Sequence, residues 1–198
     1  MLVLAFDTAT DLATSALLRA GEVLDERESK ALRILQEIDS MLAAAGLERT
    51  ALEGISVGTG PGSFTGLRMG LVTARTLAFA LDVPVAGVST LATLQAGARG
   101  AEPVIDARRG EVFALVGGQP AVLAPEDVPV EPGREYVGDG AVRYRKLLET
   151  GGGRVPPDAD PVHVPRARFH ARLVADFGPA ETVAPIYLRV PDAEKSLG

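Results

Sequence analysis

The stretch Ile55-Ser-Val-Gly-Thr-Gly-Pro-Gly-Ser-Phe-Thr-Gly-Leu-Arg-Met-Gly70, with the apolar run that continues to Leu81, permits few folds. Ile55, Val57 and the β-branched Thr59 read as the end of a buried strand. Gly58, Gly60, Pro61 and Gly62 then turn the backbone where side chains would clash. Ser63 stands where an N-cap belongs, its hydroxyl able to accept from a first-turn N–H. From Phe64 to Leu81 only Thr65, Arg68, Thr73, Arg75 and Thr76 have polar side chains, so this helix must be covered on nearly every side. Gly66, Gly70 and Ala74 recur every fourth residue and predict a smooth seam where another helix comes close. An interior glycine costs ~1 kcal/mol relative to alanine, a loss that close packing has to recover.

Composition narrows the chemistry. The 198 residues carry a net charge of −6 with a pI near 5.0, so the chain has no overall basic footprint for direct nucleic-acid binding. Cysteine is absent, which removes disulfides, thiolate nucleophiles and thiolate metal sites and fits a reducing cytoplasm. The start lacks the basic segment and cleavage site of a secretory signal. Arg68 and Arg75 interrupt the longest apolar run, against a membrane span. A cytoplasmic protein is the expectation.

In chain order, Leu2–Phe6, Leu12–Leu18 and Glu22–Glu28 read as a meander of three strands, the third more exposed, with the turn Asp7-Thr-Ala-Thr-Asp11 after the first. Ala31, Ile34, Leu35, Ile38, Met41, Leu42 and Ala45 keep helical spacing up to a stop at Gly46. Val83–Val88 is another strand, and Ser89 caps a helix reaching about Arg99. A boundary near Gly100–Pro103 divides the chain into residues 1–100 and 101–198. Beyond it, Val104–Val116 again sets an aspartate, Asp106, between a strand and a turn into a second strand. Tyr136-Val-Gly-Asp-Gly140 then leads into a helix over Ala141–Glu149, echoing Ile55–Leu81. The halves share one order, a sign of internal duplication. A glycine- and proline-rich loop over Gly151–Asp160, a last helix over Ala167–Phe177 and an apolar tail Ala184–Arg189 complete the chain.

Five segments in order carry a resemblance: Leu4-Ala-Phe-Asp-Thr-Ala-Thr10, Gly58–Gly70, Gly87-Val-Ser-Thr-Leu91, Ile105-Asp-Ala-Arg-Arg-Gly-Glu-Val112 and Ile186-Tyr-Leu-Arg189. Over nearly its whole length the chain is similar to the TsaB (YeaZ) family. The resemblance implies an α/β actin/hexokinase/Hsp70-like (ASKHA) fold, with two lobes of mixed sheets flanked by helices and the second lobe reduced. It also implies a non-catalytic role in making threonylcarbamoyladenosine next to the anticodon of tRNA. Its implied partners are the catalytic paralogue TsaD, the ATPase TsaE and, when alone, a second copy. It implies that tRNA is met only through the complex, and that no cofactor is held beyond weak or partner-dependent ATP or ADP.

Weighed as chemistry, Asp7 and Asp106 stand where such folds flank a nucleotide phosphate, and each also fits a turn residue bonding its own backbone. Asp7, Thr8, Gly60, Gly62, Ser63 and Asp106 form a vestigial phosphate-loop set. The glycine loop is neither a P-loop, lacking Gly-Lys-Ser/Thr, nor a dinucleotide fingerprint, since Gly66 comes one residue too late. No metal site is expected: the catalytic relative's His-x-x-x-His pair has no counterpart in Lys30–Asp39, and His163 and His170 read as surface or capping groups. That argues against a metalloprotease, and no Gly-x-Ser-x-Gly elbow is present. A small ATPase or kinase is the alternative. The apolar stripes of the first two helices exceed the needs of one small lobe. They predict a partner face of Leu35, Ile38, Leu42, Leu67, Gly70, Leu71, Ala74, Arg75 and Ala78.

Overall fold

A computed structural model describes residues 1–188. Strands β1 (Leu2–Asp7), β2 (Ala13–Arg19) and β3 (Glu22–Ser29) form the antiparallel meander. Strand β4 (Gly54–Gly58) joins β1 in parallel and β5 (Val85–Val88) joins β4, giving the order β3-β2-β1-β4-β5. Every residue of β4 is buried, as a strand covered on both faces requires. At the sheet's outer edge β3 alternates Glu22, Asp25, Glu26, Arg27 and Glu28, charges that discourage a further strand.

Alternation along the strands sorts the two faces. Leu2, Leu4, Phe6, Leu17, Ile55 and Val57 point to one side, where helices α1 (Ile34–Ala44) and α2 (Phe64–Leu81) bury Ile34, Ile38, Met41, Leu42, Leu71, Ala74 and Ala78. Ala5, Ala16 and Leu18 point to the other, where Ala167 of a late helix meets them. Ser63 caps α2, its hydroxyl accepting from Gly66 N at 3.3 Å. Helix α3 (Thr90–Gly97) is capped in the same way by Ser89 and leads into the second sheet.

That sheet repeats the first. Strands β6 (Glu102–Arg108), β7 (Glu111–Val116) and β8 (Gln119–Leu123) form a meander, and the short β9 (Tyr136–Val137) pairs with β6 in parallel, in the order β8-β7-β6-β9. The topology around β6 thus reproduces the topology around β1, the mixed-sheet arrangement of the actin/hexokinase-like fold. Some elements depart from the pattern read in the sequence. The helix predicted over Ala141–Glu149 is two pieces, α4 (Asp139–Arg143) and α5 (Arg145–Thr150), broken where Tyr144 leaves helical geometry. Strand β8 lies across the Gly117-Gly118 turn in a segment too mixed in character to read as a strand. The last helix, α6 (Ala167–Leu173), ends short of Phe177. Extended backbone takes over there, because Gly178 exchanges two hydrogen bonds with Val85 on the edge of β5, at 2.8 and 2.9 Å. Arg189 of the tail segment lies outside the described residues.

The largest correction concerns α2. Ile38, Leu42, Leu67, Gly70, Leu71, Ala74 and Ala78, read as partner contacts, are all buried within the chain. The glycine seam meets a turn of its own lobe and not a neighbouring helix. A Cβ on Gly66 would lie 2.0 Å from Thr8 O, and one on Gly70 would lie 2.3 Å from Thr8 Oγ1. Helix propensity favours Gly66→Ala by ~1 kcal/mol, whereas overpacking against backbone costs ~1–3 kcal/mol. Urea unfolding of Gly66→Ala should therefore show a lower midpoint with an unchanged slope. A midpoint at or above that of the parent chain would mean that the turn does not press on the helix.

Candidate functional site

At the end of β1 the carboxylate of Asp7 is 1% exposed and fully engaged. Its Oδ1 accepts from Ala9 N at 2.6 Å, closing an Asx turn, and its Oδ2 accepts from Thr90 Oγ1 at 2.7 Å. Against Oδ2, at 2.8 Å, lies Nε2 of His170, a charge contact and not an aligned hydrogen bond. Gly58 makes room for the group: a Cβ there would stand 2.3 Å from the carboxyl carbon. Burial alone would raise the pKa of Asp7. The charge and close contact of His170, with the Ala9 and Thr90 donors, outweigh it and hold the carboxyl below its usual range.

The remaining candidates of the first lobe gather around this turn. Thr8 Oγ1 donates to Gly66 O at 2.7 Å, Ser63 N donates to Ala9 O at 2.7 Å, and a Cβ on Gly62 would lie 2.3 Å from that same oxygen. Gly60 O accepts from Thr90 N at 2.8 Å, fastening the loop to α3. Thr8, Gly60, Gly62 and Ser63 therefore do meet Asp7, but the β1–β2 turn itself fills the glycine cradle. The α2 donors that an anion would use are partly spent on Ala9 and Ser63.

Asp106 is buried on the equivalent turn of the second sheet. Its Oδ1 accepts from Arg108 N at 3.0 Å, and its Oδ2 accepts from Arg108 Nη1 at 3.0 Å and Arg143 Nη1 at 2.9 Å. Asp106 N donates to Asp139 Oδ1 at 2.9 Å, and burial pushes the Asp139 carboxyl up. Arg108 also reaches Asp11 on the first turn, so one guanidinium spans both hairpins. Each aspartate both bonds its own backbone and faces a cation supplied by the chain.

The partners of these turns are not legible in the sequence. His163 and His170, read as surface or capping groups, are both buried. His163 Nδ1 accepts from Gly138 N at 3.1 Å while Nε2 lies 3.1 Å from Pro156 O, a backbone bracket. His170 stands 163 positions from its carboxylate, and no spacing rule could join them. Thr90 and Thr93 line the same pocket and carried no signal beyond following a Ser cap. Among the described residues no group of three or more His, Cys, Asp or Glu side chains is placed to hold a metal.

A second feature lies on the outer side of α2. Val72 is 63% and Phe79 88% exposed, seven residues apart and so on one face. Phe64 continues the strip at the helix start, with the Arg68 guanidinium 4.0 Å over its ring and the Tyr187 ring 5.4 Å away. Leu32 and Leu35 are exposed at the start of α1. Of the face predicted from the sequence, Leu35 and Arg75 remain at the surface, and Arg75 Nη2 donates to Val183 O at 2.5 Å. No described helix is long and apolar enough to cross a membrane.

Comparison with known proteins agrees with this architecture. A family model described as TsaD, tRNA N6-adenosine threonylcarbamoyltransferase, matches residues 26–165. The tRNA threonylcarbamoyladenosine biosynthesis protein TsaB of Bacillus subtilis is 38% identical over 122 residues, 57% of this chain and 53% of that protein, so the match spans about half of that relative. An uncharacterized protein of Mycobacterium tuberculosis is 36% identical across 97% of this chain and 93% of its own length. The solved structure of YeaZ from Pseudomonas aeruginosa superposes with a TM-score of 0.77 at 30% identity, covering 94% of this chain and 99% of that one.

A pH dependence follows from the depressed Asp7. A group with a lowered folded pKa contributes stability above its unfolded value, about 3.9 for aspartate, and loses it as pH falls through the folded value. Stability measured by urea unfolding should therefore decline as pH drops below about 4. Asp7→Asn leaves His170 buried without its counter-charge and should cost ~3–5 kcal/mol at neutral pH, with the gap to the parent narrowing in acid. A gap that stays constant with pH would show that Asp7 is not stabilised as the anion.

Proposed function

The chain belongs to the TsaB (YeaZ) family, and from that premise we propose that it is a non-catalytic subunit in the formation of N6-threonylcarbamoyladenosine on tRNA. In this reading it grips the catalytic paralogue TsaD, helps the ATPase TsaE to join, and meets tRNA through the assembly. The observation that carries the proposal is the outer face of α2, where Val72 and Phe79 stand in solvent on a helix whose other side is fully buried. Large apolar side chains exposed together on one helix mark a surface made for another protein. The partner set is Leu32, Leu35, Phe64, Arg68, Val72 and Phe79, the side of the helices opposite to the glycine seam. Two helices from each of two related subunits would meet with pseudo-twofold symmetry, and ~800 Å² buried per partner suits a stable complex. The same face accounts for a homodimer when the partner is missing.

The silence of the chain as a catalyst is supported at the two aspartate turns. Both carboxylates are neutralised from within, Asp7 by His170 and Asp106 by Arg108 and Arg143, and the glycine cradle is filled by Ala9.

Substituting both Val72 and Phe79 with Glu should abolish co-purification with TsaD. Because these side chains touch little of their own chain, the urea midpoint should move by no more than ~0.5 kcal/mol. Deleting the gene should remove threonylcarbamoyladenosine from digested tRNA. An intact complex with the double variant would overturn the assigned face, and undiminished modification in the deletion strain would overturn the role.

A further inference from the structure

The pocket at Asp7 leaves two protons to be assigned. Thr93 Oγ1 donates to Ser89 O at 3.0 Å, so toward His170 Nδ1, 3.1 Å away, it is left as an acceptor. On the opposite edge of the ring Nε2 faces Asp7 Oδ2 at 2.8 Å, an oxygen that already accepts from Thr90. Both ring nitrogens thus face oxygen atoms, and His170 is 0% exposed. The buried imidazole ring lies against a carboxylate, with two threonine hydroxyls completing the shell.

Among the described residues, the other charges around α6 are engaged elsewhere. Arg166 and Arg168 bind Glu26 of β3, Arg166 also binds Glu28, and Arg168 and Arg172 lie over the Phe169 ring. From β2 comes the Thr14 hydroxyl, which donates to Pro165 O at 2.6 Å, and from α3 come Thr90 and Thr93. Asp7 is the one carboxylate β1 offers. The apolar contact beneath α6 is slight: Ala5, Ala16 and Leu18 meet Ala167 and Ala171. A helix of 7 residues has little stability of its own. Its hold on the sheet comes chiefly from polar and charged groups.

We propose that Asp7, Thr90 and Thr93 form a binding site for a planar organic cation of imidazolium size, which the chain occupies with its own His170 and thereby fastens α6 to the first sheet. The site is separate from the partner face, and it shares with the role proposed above only the cover of Asp7 by His170. Vacating it frees the helix, and a small cation of the right shape takes the empty place.

The test uses His170→Ala in the full chain, followed by hydrogen exchange and thermal unfolding. Amides of 167–173 should lose protection by at least about tenfold while those of β4 and α2 keep theirs. Imidazole, below its own pKa, should restore the protection and raise the melting temperature. At ten times its dissociation constant it multiplies the closed-to-open ratio about elevenfold. Pyrazole, a neutral ring of the same size, should do little, and Asp7→Asn combined with His170→Ala should not respond. Equal rescue by pyrazole, equal rescue of the double variant, or no rescue at all would overturn the proposal. Should His170→Ala fail to fold, nitrogen-15 spectra of the parent chain decide: both ring nitrogens of His170 protonated at neutral pH supports the site, and a neutral ring refutes it.

Discussion

The lodging of the β1–β2 turn against the start of α2 is the contact on which the first lobe depends. Thr8 and Ala9 come so close to Gly62, Gly66 and Gly70 that no Cβ fits between them, and the turn and helix exchange hydrogen bonds at Thr8, Ser63 and Gly66. This approach sets the rotation of α2 about its own axis. With the glycine side turned inward, Leu67, Leu71, Ala74 and Ala78 fall into the core, and Val72 and Phe79 are turned out. The same approach holds Asp7 beside Gly58 and within reach of α3 and α6. Core, pocket and outer face are three consequences of one close contact.

Much of this architecture can be read from residues alone, because local signals agree with the tertiary outcome. Ser63 and Ser89 cap the helices they precede, the hub helix runs from Phe64 to Leu81, and the repeated strand–aspartate–strand order is matched by two sheets of the same topology. What local signals do not carry is direction. Small residues every fourth position announce a close neighbour without saying whether it is a helix, a turn or another chain, and here the neighbour of Gly66 and Gly70 is Thr8. The burial of the histidines escapes local signals for a related reason. A buried His170 depends on a carboxylate from the other end of the chain, and neither flanking sequence nor helical spacing reports a pairing that only the fold brings about.

The duplication gives the two aspartates equivalent positions and different solutions. Both bond the backbone two residues on, and both are covered by cations, yet His170 comes from a distant helix whereas Arg108 and Arg143 come from nearby elements. Asp106 also remains within reach of surface guanidinium groups, while Asp7 is sealed. Arg108 joins the two turns through Asp11.

The margins of the first sheet carry a last implication. One margin, β3, displays a row of carboxylates and an arginine, and the other, β5, is stitched to the backbone of Gly178. Charge discourages a foreign strand at the first rim, and at the second the Gly178 bridge occupies the backbone of Val85. Recruitment by main-chain complementarity, the least selective route to association, is therefore disfavoured at both sides of the sheet. A protein that binds this lobe is therefore favoured when it recognises side chains, and so sequence, over one that adds a strand to the sheet.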